Sequence, residues 1–564
     1  MQHTPQTFGF RLISKSFRIA GEYFCKSKAA PFALVMLIAL IAFELLFVYV
    51  NVELNKWNVG FFNAIQDLNQ VAFSKSVIAW LYLLVAFIGV FMVKLFINLW
   101  LTLKWRIWLT ENYLNKWLSN KSFYGSKILG YESDNPDQRI ANDINSFTST
   151  FIDLTMGLLS SVVTFCSFIV ILWNLGGSLE FTLLGKHHHI PGYLVWLALL
   201  YSGIATYVAH IIGKKLIRLQ FEQERKEANF RFSMMRVREY AESIALYNAG
   251  MSEKSSIIDK FFVVVANYKQ IIYKLLSLAL FRNVYVIVGN IAPVIMMAPK
   301  LFSKQLHFGE MMQGVSAFRQ ILDSLSFIIS SYSALAGFMA VTARLEGFLN
   351  SIDEWEETDH KVEYKEDDHL AFALKSYFPS GELMFDIRKT KLKGDTLIQG
   401  TSGAGKSTLF RILAKMWPFA EGEVIMPSGK KLLYIPQKSY INTGTLRQVL
   451  TYPSNSCDIL EQLLKEFDLE HLTLELDVEK DWSKILSGGE QQRIALIRAI
   501  IDRPDIIFMD EATSSLNSKL AQAALLMVKK HLPQAQLILI SHDLAMTKVF
   551  PNVYEFADKQ LKSI

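Results

Sequence analysis

The sequence Gly400-Thr401-Ser402-Gly403-Ala404-Gly405-Lys406-Ser407, GTSGAGKS in one-letter code, decides how the second half of this 564-residue chain is interpreted. It fits the phosphate-loop pattern G-x-x-x-x-G-K-[ST] at every fixed position. An apolar run at 396–399 precedes it as a predicted buried strand, and a predicted helix continues from Thr408. Glycines let backbone N–H groups approach phosphate oxygens, and Lys406 adds a positive charge. The stretch therefore predicts a nucleotide site, with Ser407 as a magnesium ligand.

The composition indicates a protein that is partly embedded in lipid. Hydrophobic residues make up 51% of the chain and aromatic residues 13%, which is high for a soluble protein. The length favours more than one domain. The net charge of +6 is modest, and the basic residues follow a membrane topology, so we predict a lipid bilayer and no nucleic acid among the partners.

Six apolar stretches are each near or above the roughly 20 residues that cross a hydrocarbon core. They are residues 31–50, 77–101, 154–173, 193–212, 271–297 and 321–341. The N-terminus and the two long connections, after the second and fourth stretches, are rich in Lys and Arg, whereas the connection at 174–192 has one lysine. The positive-inside rule places the N-terminus and both long connections in the cytoplasm. Their helical pattern predicts cytoplasmic extensions of the membrane helices.

The character of the chain changes near residue 350. We predict a helical transmembrane domain over 1–350, a charged linker over 351–369 and a second domain over 370–564. In the second domain short apolar strands alternate with helical stretches, which predicts an α/β fold with a parallel sheet.

Four further motifs accompany the phosphate loop in the second domain. They are Gln437 after a strand, Ser487-Gly488-Gly489 before a helix, Asp510-Glu511 at the end of an apolar strand, and His542 after another. Each alone has an ordinary structural explanation, such as a surface side chain, a turn or a helix cap. Their joint occurrence in this order argues against coincidence.

This set of motifs resembles the ATP-binding-cassette (ABC) family. The resemblance implies an ATPase that uses ATP and Mg2+, with two ATPs held between two copies of the nucleotide domain. It implies phosphate binding by Gly400 to Ser407 and Thr408, and contacts to the γ-phosphate from Ser487, Gly488 and Gly489 of the other copy. It also implies magnesium ligation by Ser407, Gln437 and Asp510, activation of water by Glu511, a γ-phosphate contact from His542, and adenine stacking on Tyr377.

One residue departs from the family pattern. The family usually has S-A-L-D after the Asp-Glu pair, where this chain has Ser514-Ser515-Leu516-Asn517. Asparagine keeps hydrogen-bonding capacity but loses the charge. We therefore expect altered turnover or altered coupling between the subunits, with hydrolysis retained because Glu511 is present.

The membrane half shows a second resemblance. Residues 54–66, 134–143 and 242–253 look like stretches shared by peroxisomal-type fatty-acyl half transporters and the bacterial SbmA/BacA-like group with its ATPase-fused relatives. The first stretch can also be an interfacial aromatic belt, and the second a capped helix start. The resemblance implies a six-span exporter-type domain fused to an ABC domain, acting as a homodimer. Coupling helices are then expected near 135–143 and 242–250.

The substrate is less constrained. Glu44, Lys94, Arg282 and Asp323 lie inside predicted spans and are candidates for a substrate path, although Lys94 can instead reach toward the headgroups. His187-His188-His189 can bind a metal, but a solvated turn is favoured.

The partner expected in transport is a small molecule or peptide. The resemblance to the bacterial group implies cobalamin or a peptide, whereas the resemblance to the peroxisomal-type transporters implies a fatty-acyl, acyl-CoA or lipid substrate. A regulatory membrane ATPase without transport is a further alternative. A bacterial inner membrane is favoured over an organelle membrane.

Overall fold

A computed structural model describes residues 5–130, 135–183, 186–358, 361–454 and 459–564. It divides into two compact units, each formed by two segments of the chain. The helical unit comprises Met1–Asn115 and Asn135–Leu349, and the α/β unit comprises Lys116–Asp134 and Asn350–Ile564.

Long helices build the helical unit. In chain order the helices up to the second unit are α1 (Pro5–Gly21), α2 (Ala30–Gln66), α3 (Gln70–Leu118), α4 (Ser122–Ile128), α5 (Pro136–Gln138), α6 (Ile144–Gly176), α7 (Tyr193–Glu239), α8 (Ala241–Leu246), α9 (Gly250–Phe302), α10 (Phe308–Ser330) and α11 (Tyr332–Glu356). Single π-helical segments lie at Glu22–Lys26 and Arg139–Asp143. An antiparallel hairpin, β1 (Ser178–Leu183) and β2 (Lys186–Pro191), joins α6 to α7.

Five helical stretches in the described part of the chain are long and apolar enough to cross a membrane. They are Ala30–Gln66, Gln70–Ile128, Pro136–Gly176, Tyr193–Glu239 and Gly250–Phe302. The sixth stretch expected from the sequence, 321–341, is not among them. It is divided between α10 and α11, which meet at Ser331. The polar side chains Arg319 and Asp323 lower the hydropathy of α10.

Hairpin β1–β2 corrects one detail of the sequence analysis. Residues 187–189 lie in strand β2, whose register pairs them with residues 180–182 of β1, and not in an irregular turn. The His189 side chain is exposed. The side chains of His187 and His188 lie outside the described residues, and metal binding there stays untested.

Three amide side chains of α2 fix the start of α10. Phe308 N donates to Gln66 Oε1 at 2.9 Å, Gly309 N donates to Asn63 Oδ1 at 2.8 Å, and Asn55 Nδ2 donates to the carbonyl of residue 313 at 3.1 Å. Helix N-termini carry backbone N–H groups without partners inside the helix, and the α2 amides satisfy two of them. The stretch that suggested an aromatic belt therefore also orients α10.

Two sheets form the core of the α/β unit. The six-stranded sheet has the order β14-β13-β6-β12-β11-β8 and the four-stranded sheet the order β3-β7-β4-β5. The strands are β3 (Val362–Asp367), β4 (Leu370–Tyr377), β5 (Leu383–Leu392), β6 (Thr396–Gly400), β7 (Ala420–Pro427), β8 (Leu432–Ile435), β9 (Gly444–Thr445), β10 (Glu479–Lys480), β11 (Ile506–Asp510), β12 (Gln536–Ile540), β13 (Asn552–Ala557) and β14 (Gln560–Ser563). The helices are α12 (Lys406–Leu413), α13 (Leu446–Thr451), α14 (Leu460–Glu466), α15 (Trp482–Ile485), α16 (Gly488–Asp502) and α17 (Ser518–His531).

Strands β6, β12, β11 and β8 are neighbours and run parallel. Their carboxyl ends therefore lie at one edge of the sheet, which is where ligands bind in open parallel sheets. The phosphate loop follows β6, residues 541–542 follow β12, Glu511 follows β11 and Gln437 follows β8. The topology thus brings four separate motifs to one edge.

The segment that contains α4 belongs to the α/β unit. The Trp355 indole, 4% exposed, packs against Gly125, and Trp355 Nε1 donates to the Asn120 carbonyl at 2.9 Å. Lys121 Nζ donates to the Ala414 carbonyl at 2.6 Å. These contacts join residues that are more than 200 positions apart.

Candidate functional site

The phosphate loop has a backbone that only glycine can adopt at two positions. Gly400 has φ +143°, and a Cβ there would lie 2.6 Å from the Phe556 carbonyl oxygen. Gly405 has φ +99°, and a Cβ there would lie 2.7 Å from the Phe385 ring. The loop thus packs closely against Phe556 and Phe385. Its backbone N–H groups at the start of α12 are available to bind an anion.

Lys406 is the buried cation of this loop, with 5% exposure. Its Nζ donates to the carbonyls of Gly400 and Thr401, both at 2.8 Å. Burial lowers the pKa of Lys406, while the carboxylates of Glu511 and Asp510 act in the opposite direction. The ammonium is therefore held at the loop beside two acids.

Ser407 and Asp510 supply oxygen atoms at the same place. Ser407 Oγ donates to Asp510 Oδ1 at 3.0 Å. Burial raises the pKa of Asp510, and the hydrogen bond from Ser407 opposes that shift. A hydroxyl and a carboxylate beside a phosphate loop are the donor types that Mg2+ prefers, so the residues present fit this ion.

Glu511 is the centre of a second hydrogen-bonded group. Gln437 Nε2 donates to Glu511 Oε2 at 2.7 Å, and His542 Nε2 lies 3.2 Å from Glu511 Oε1 and 3.5 Å from Lys406 Nζ. Glu511 itself has φ +47°, a left-handed conformation that is costly for a residue with a Cβ. The backbone is therefore strained at Glu511, and Gln437 and His542 orient the Glu511 carboxylate.

Ser487-Gly488-Gly489, called the signature motif below, starts helix α16, and Ser487 is its N-cap. Its hydroxyl accepts from Glu490 N at 3.3 Å, and Glu490 Oε2 accepts from Ser487 N at 2.8 Å, which is a complete capping box. Burial of the Glu490 carboxylate would raise its pKa, but hydrogen bonds from Ser487 and His471 outweigh this and hold the pKa below its ordinary value. The start of α16 is therefore rigidly defined.

Gly488 and Gly489 contact the loop after the Asp-Glu pair. A Cβ on Gly488 would lie 3.2 Å from Ser515 Oγ, and one on Gly489 would lie 3.2 Å from Leu516 Cδ2. Among the described residues, no hydrogen bond joins the signature residues to the phosphate loop of the same chain. The structure therefore brings Lys406, Ser407, Gln437, Asp510, Glu511 and His542 together, and places Gly488 and Gly489 beside the loop that follows Glu511.

Gln492 was missed in the sequence analysis. This side chain on α16 is 4% exposed; its Oε1 accepts from Ser515 N at 2.8 Å, and its Nε2 donates to Ser514 Oγ at 3.2 Å and to the Glu511 carbonyl at 3.5 Å. The only sequence signal was a glutamine on the buried face of a helix. It links the signature helix directly to the backbone of Glu511.

Asn517 has a local structural role. Its Oδ1 accepts from Leu520 N at 2.9 Å, so it is the N-cap of α17. Asparagine and aspartate cap helices about equally well. The departure from the family pattern therefore preserves this cap.

A cavity of about 580 Å3 adjoins the phosphate loop. Its described lining includes Thr401, Gly403, Phe378, Met384 and Lys559, but not Tyr377. The Tyr377 hydroxyl instead donates to Glu421 Oε1 at 2.5 Å. Phe378, which is 41% exposed, is therefore an aromatic wall of this cavity, and Tyr377 lies outside its described lining.

The charged residues of the predicted spans fall into two groups. Glu44 is 4% exposed, and its Oε2 lies 3.1 Å from Lys94 Nζ. The same Nζ lies 4.3 Å from the centroid of the Phe47 ring. Lys94 therefore neutralises Glu44 inside the chain and does not reach toward the headgroups. Arg282 and Asp323 are exposed.

Comparisons with known proteins agree with these features. The family profile described as ABC transporter transmembrane region 2 matches residues 19–302, and the one described as ABC transporter matches residues 385–514. The chain belongs to the ABC transporter family. It combines a membrane domain with an ATP-binding domain, and its ATP hydrolysis is coupled to transport.

The relatives of this ABC transporter include bacterial and plant proteins. The inner membrane ABC transporter ATP-binding protein YddA of Escherichia coli (strain K12) is 32% identical over 556 residues, covering 96% of this chain and 97% of YddA. ABC transporter D family member 2, chloroplastic, of Arabidopsis thaliana is 28% identical and covers 98% of this chain and 87% of its own length.

A solved structure of a bacterial Atm1-family ABC exporter with ATP bound has a similar fold. Its TM-score is 0.72 at 16% identity, and the match covers 95% of each chain. The transporter therefore has the exporter-type fold, with a helical membrane domain followed by an α/β nucleotide-binding domain.

Proposed function

We propose that this ABC transporter works as a homodimer in a bacterial inner membrane, and that it moves a polar or amphipathic solute such as cobalamin or a peptide. The observation that carries the ATPase part is the group formed by Gln437, Glu511 and His542 beside Lys406. The similarity to YddA supports an inner membrane. The similarity to D family members favours a fatty-acyl solute as the second candidate.

In the proposed reaction, Glu511 accepts a proton from water as the water oxygen attacks the γ-phosphorus of ATP. The bond between the γ-phosphorus and the β,γ-bridging oxygen breaks, and ADP and phosphate form. Gln437 holds the Glu511 carboxylate in place, and His542 and Lys406 stabilise the charge that develops on the phosphoryl oxygens. Mg2+, held by Ser407 and Asp510, would neutralise phosphate charge.

A second copy of the chain completes this site in the proposal. Gly488 and Gly489 lie beside residues 515–516 of their own chain, and the N–H groups at the start of α16 suit an anion. We assign that anion to the γ-phosphate bound by the partner subunit. Phe378 stacks on the adenine in this assignment.

Coupling to the membrane domain is assigned to two short helices. Asp143 binds Arg139 at 2.7 Å and Arg344 at 2.7 and 2.8 Å inside the helical unit. This favours α4, packed on Trp355, over residues 135–143 as the first coupling helix. The second is α8, after which Tyr247 is 83% exposed.

The ATPase part is tested with purified full-length protein carrying Glu511→Gln. We expect the rate of ATP hydrolysis to fall at least about 100-fold with ATP binding retained, because the proton acceptor is lost. Glu555→Gln, an exposed glutamate on β13, is the matched control. Hydrolysis at the wild-type rate by Glu511→Gln would refute the proposed role.

The transport part is tested in proteoliposomes. Labelled cobalamin, a peptide mixture and acyl-CoA are offered from each side, and ATP-dependent movement is scored together with its direction. Movement of acyl-CoA alone would replace the first candidate with the second. Hydrolysis without movement of any solute would favour a regulatory ATPase.

A further inference from the structure

Helix α10 presents two charged side chains away from the rest of its chain. Arg319 and Asp323, four residues apart, have side chains that are 67% and 68% exposed. The neighbouring residues Ala317, Phe318 and Ile321 are fully buried against other helices. The charged pair therefore occupies the face of α10 that its own chain leaves open.

Contacts with two neighbouring helices, α2 and α9, fix the rotation of α10 about its axis. The α2 amides hold the first turn of α10, as described above. Further along, Tyr285 of α9 lies 3.3 Å from Ser326 through the two hydroxyl groups, and a Cβ on Gly289 would lie 2.9 Å from Leu322. Rotating α10 to bury Arg319 would break these contacts.

The position of Arg319 makes contact with lipid costly. It lies two residues before the sixth apolar stretch expected from the sequence, 321–341, and Asp323 lies inside that stretch. Charged side chains in a membrane span face a water-filled path or a partner group.

The contact between Arg319 and Asp323 leaves the terminal guanidinium nitrogens of Arg319 able to bind another group. Arg319 Nε is 3.8 Å from Asp323 Oδ2, so the carboxylate lies at the Nε side of the fork. The two terminal nitrogens have no ion-pair partner among the described residues. Terminal guanidinium nitrogens are well suited to a carboxylate or phosphate, which they bind through two parallel hydrogen bonds.

We propose that Arg319 is the residue of the translocation path that binds an anionic group of the transported solute, a carboxylate or a phosphate, and that Asp323 positions it. Tyr201 and Tyr285, which stack at 4.9 Å between ring centroids, provide apolar surface on the neighbouring helices. This inference rests on the proposed transport function, because it requires a water-filled path between two copies of the chain.

The test measures binding and does not require transport. Full-length protein in lipid nanodiscs is titrated calorimetrically, with empty nanodiscs subtracted, using two matched probe pairs: decanoate with decanamide, and a tetrapeptide acid with its C-terminal amide. The acid of at least one pair should bind about tenfold more tightly than its neutral partner, and Arg319→Gln should remove that difference. Asp323→Asn should reduce it in part, and Arg319→Lys should retain part of it. Arg231→Gln, an exposed arginine of α7, is the control and should bind like wild type.

Three outcomes would overturn the inference. The first is equal binding of acid and amide in both pairs by wild-type protein. The second is an unchanged preference for the acids in Arg319→Gln. The third is a loss of dimer in both Arg319→Gln and Asp323→Asn with unchanged binding, which would mean that the pair joins two subunits. Failure of ATP-driven movement in proteoliposomes would count against transport and would leave this binding result as it stands.

Discussion

Replacing Gly125 with alanine is expected to separate helix α4 from Trp355. A Cβ at position 125 would lie 1.9 Å from Trp355 Cδ2 and 2.3 Å from two other ring atoms. Contacts between a Cβ and a ring are ordinarily above about 3.4 Å, so α4 or the indole must move by about 1.5 Å. Trp355 is buried, so overpacking is expected to cost about 1–3 kcal/mol. Loss of the hydrogen bond from Trp355 to Asn120 adds about 1 kcal/mol.

The measurement compares thermal unfolding, ATP hydrolysis and transport per ATP hydrolysed. The total of about 2–4 kcal/mol should lower the unfolding temperature of the α/β unit. The KM for ATP should change little, because α4 carries none of the residues that contact the phosphate loop. Transport per ATP should fall if α4 couples the two activities.

Gly347→Ala is the matched control, since it is also a helical glycine and a Cβ there meets no atom within 4 Å. Alanine is favoured over glycine in helices by about 1 kcal/mol, so this variant should be at least as stable as wild type. Equal stability of Gly125→Ala and Gly347→Ala would refute the packing argument. Trp355→Leu should make the alanine at 125 tolerable, because it removes the ring that the Cβ would strike.

Three further predictions concern the ATPase domain. Gln492→Leu should lower the rate of ATP hydrolysis about tenfold or more with little effect on ATP affinity, because the backbone of Glu511 loses a hydrogen-bonding partner. Steady-state kinetics compared with Gln491→Leu would show this. A change in KM alone would contradict it. Asn517→Ala should cost about 1 kcal/mol of stability through loss of the α17 cap, whereas Asn517→Asp should unfold at the wild-type temperature. The lowered pKa of Glu490 means that its ionised form stabilises the fold above about pH 4.3, the ordinary value for glutamate, and that this contribution disappears as the pH falls through the lowered pKa. Acid unfolding should therefore be less steep in Glu490→Gln, and an unchanged profile would argue against the capping box.

The sequence predicted the ABC family because the motifs of the second domain are local. Each phosphate-loop glycine, the Asp-Glu pair and the strand before it can be identified within about ten residues. The topology of parallel neighbouring strands then gathers these local motifs at one edge without further information. The proximity of Gln437 and His542 to Glu511 follows from this topology.

Other features depend on distant parts of the chain. Lys94 lies 50 residues from Glu44, and only the packing of α2 on α3 brings them together. Tyr377 and Phe378 could not be distinguished because the register of β4 with β5 shifts between Ser376 and Tyr377. Such an irregularity exchanges the faces of the residues that follow, and alternation in the sequence does not show it.

Arg319 was missed for a related reason. The predicted apolar stretch begins at residue 321, whereas helix α10 begins at Phe308. The N-terminus of α10 is fixed by hydrogen bonds to amide side chains of α2, which are about 240 residues away in the sequence. A window of average hydropathy penalises a helix with one charged face. The part of the membrane domain that is least apolar was therefore the hardest to delimit.

The amide contacts between α2 and α10 have a practical consequence for following the transport cycle. Three hydrogen bonds near the beginning of α10 and the end of α2 tie these helices to each other. Helices α2 and α10 should then move together as one rigid body. Bending should be confined to Ser331, where α10 meets α11. A disulfide engineered across this contact should leave the cycle intact, and spin labels on α2 and α10 would give a constant reference distance against which every other helix movement can be measured.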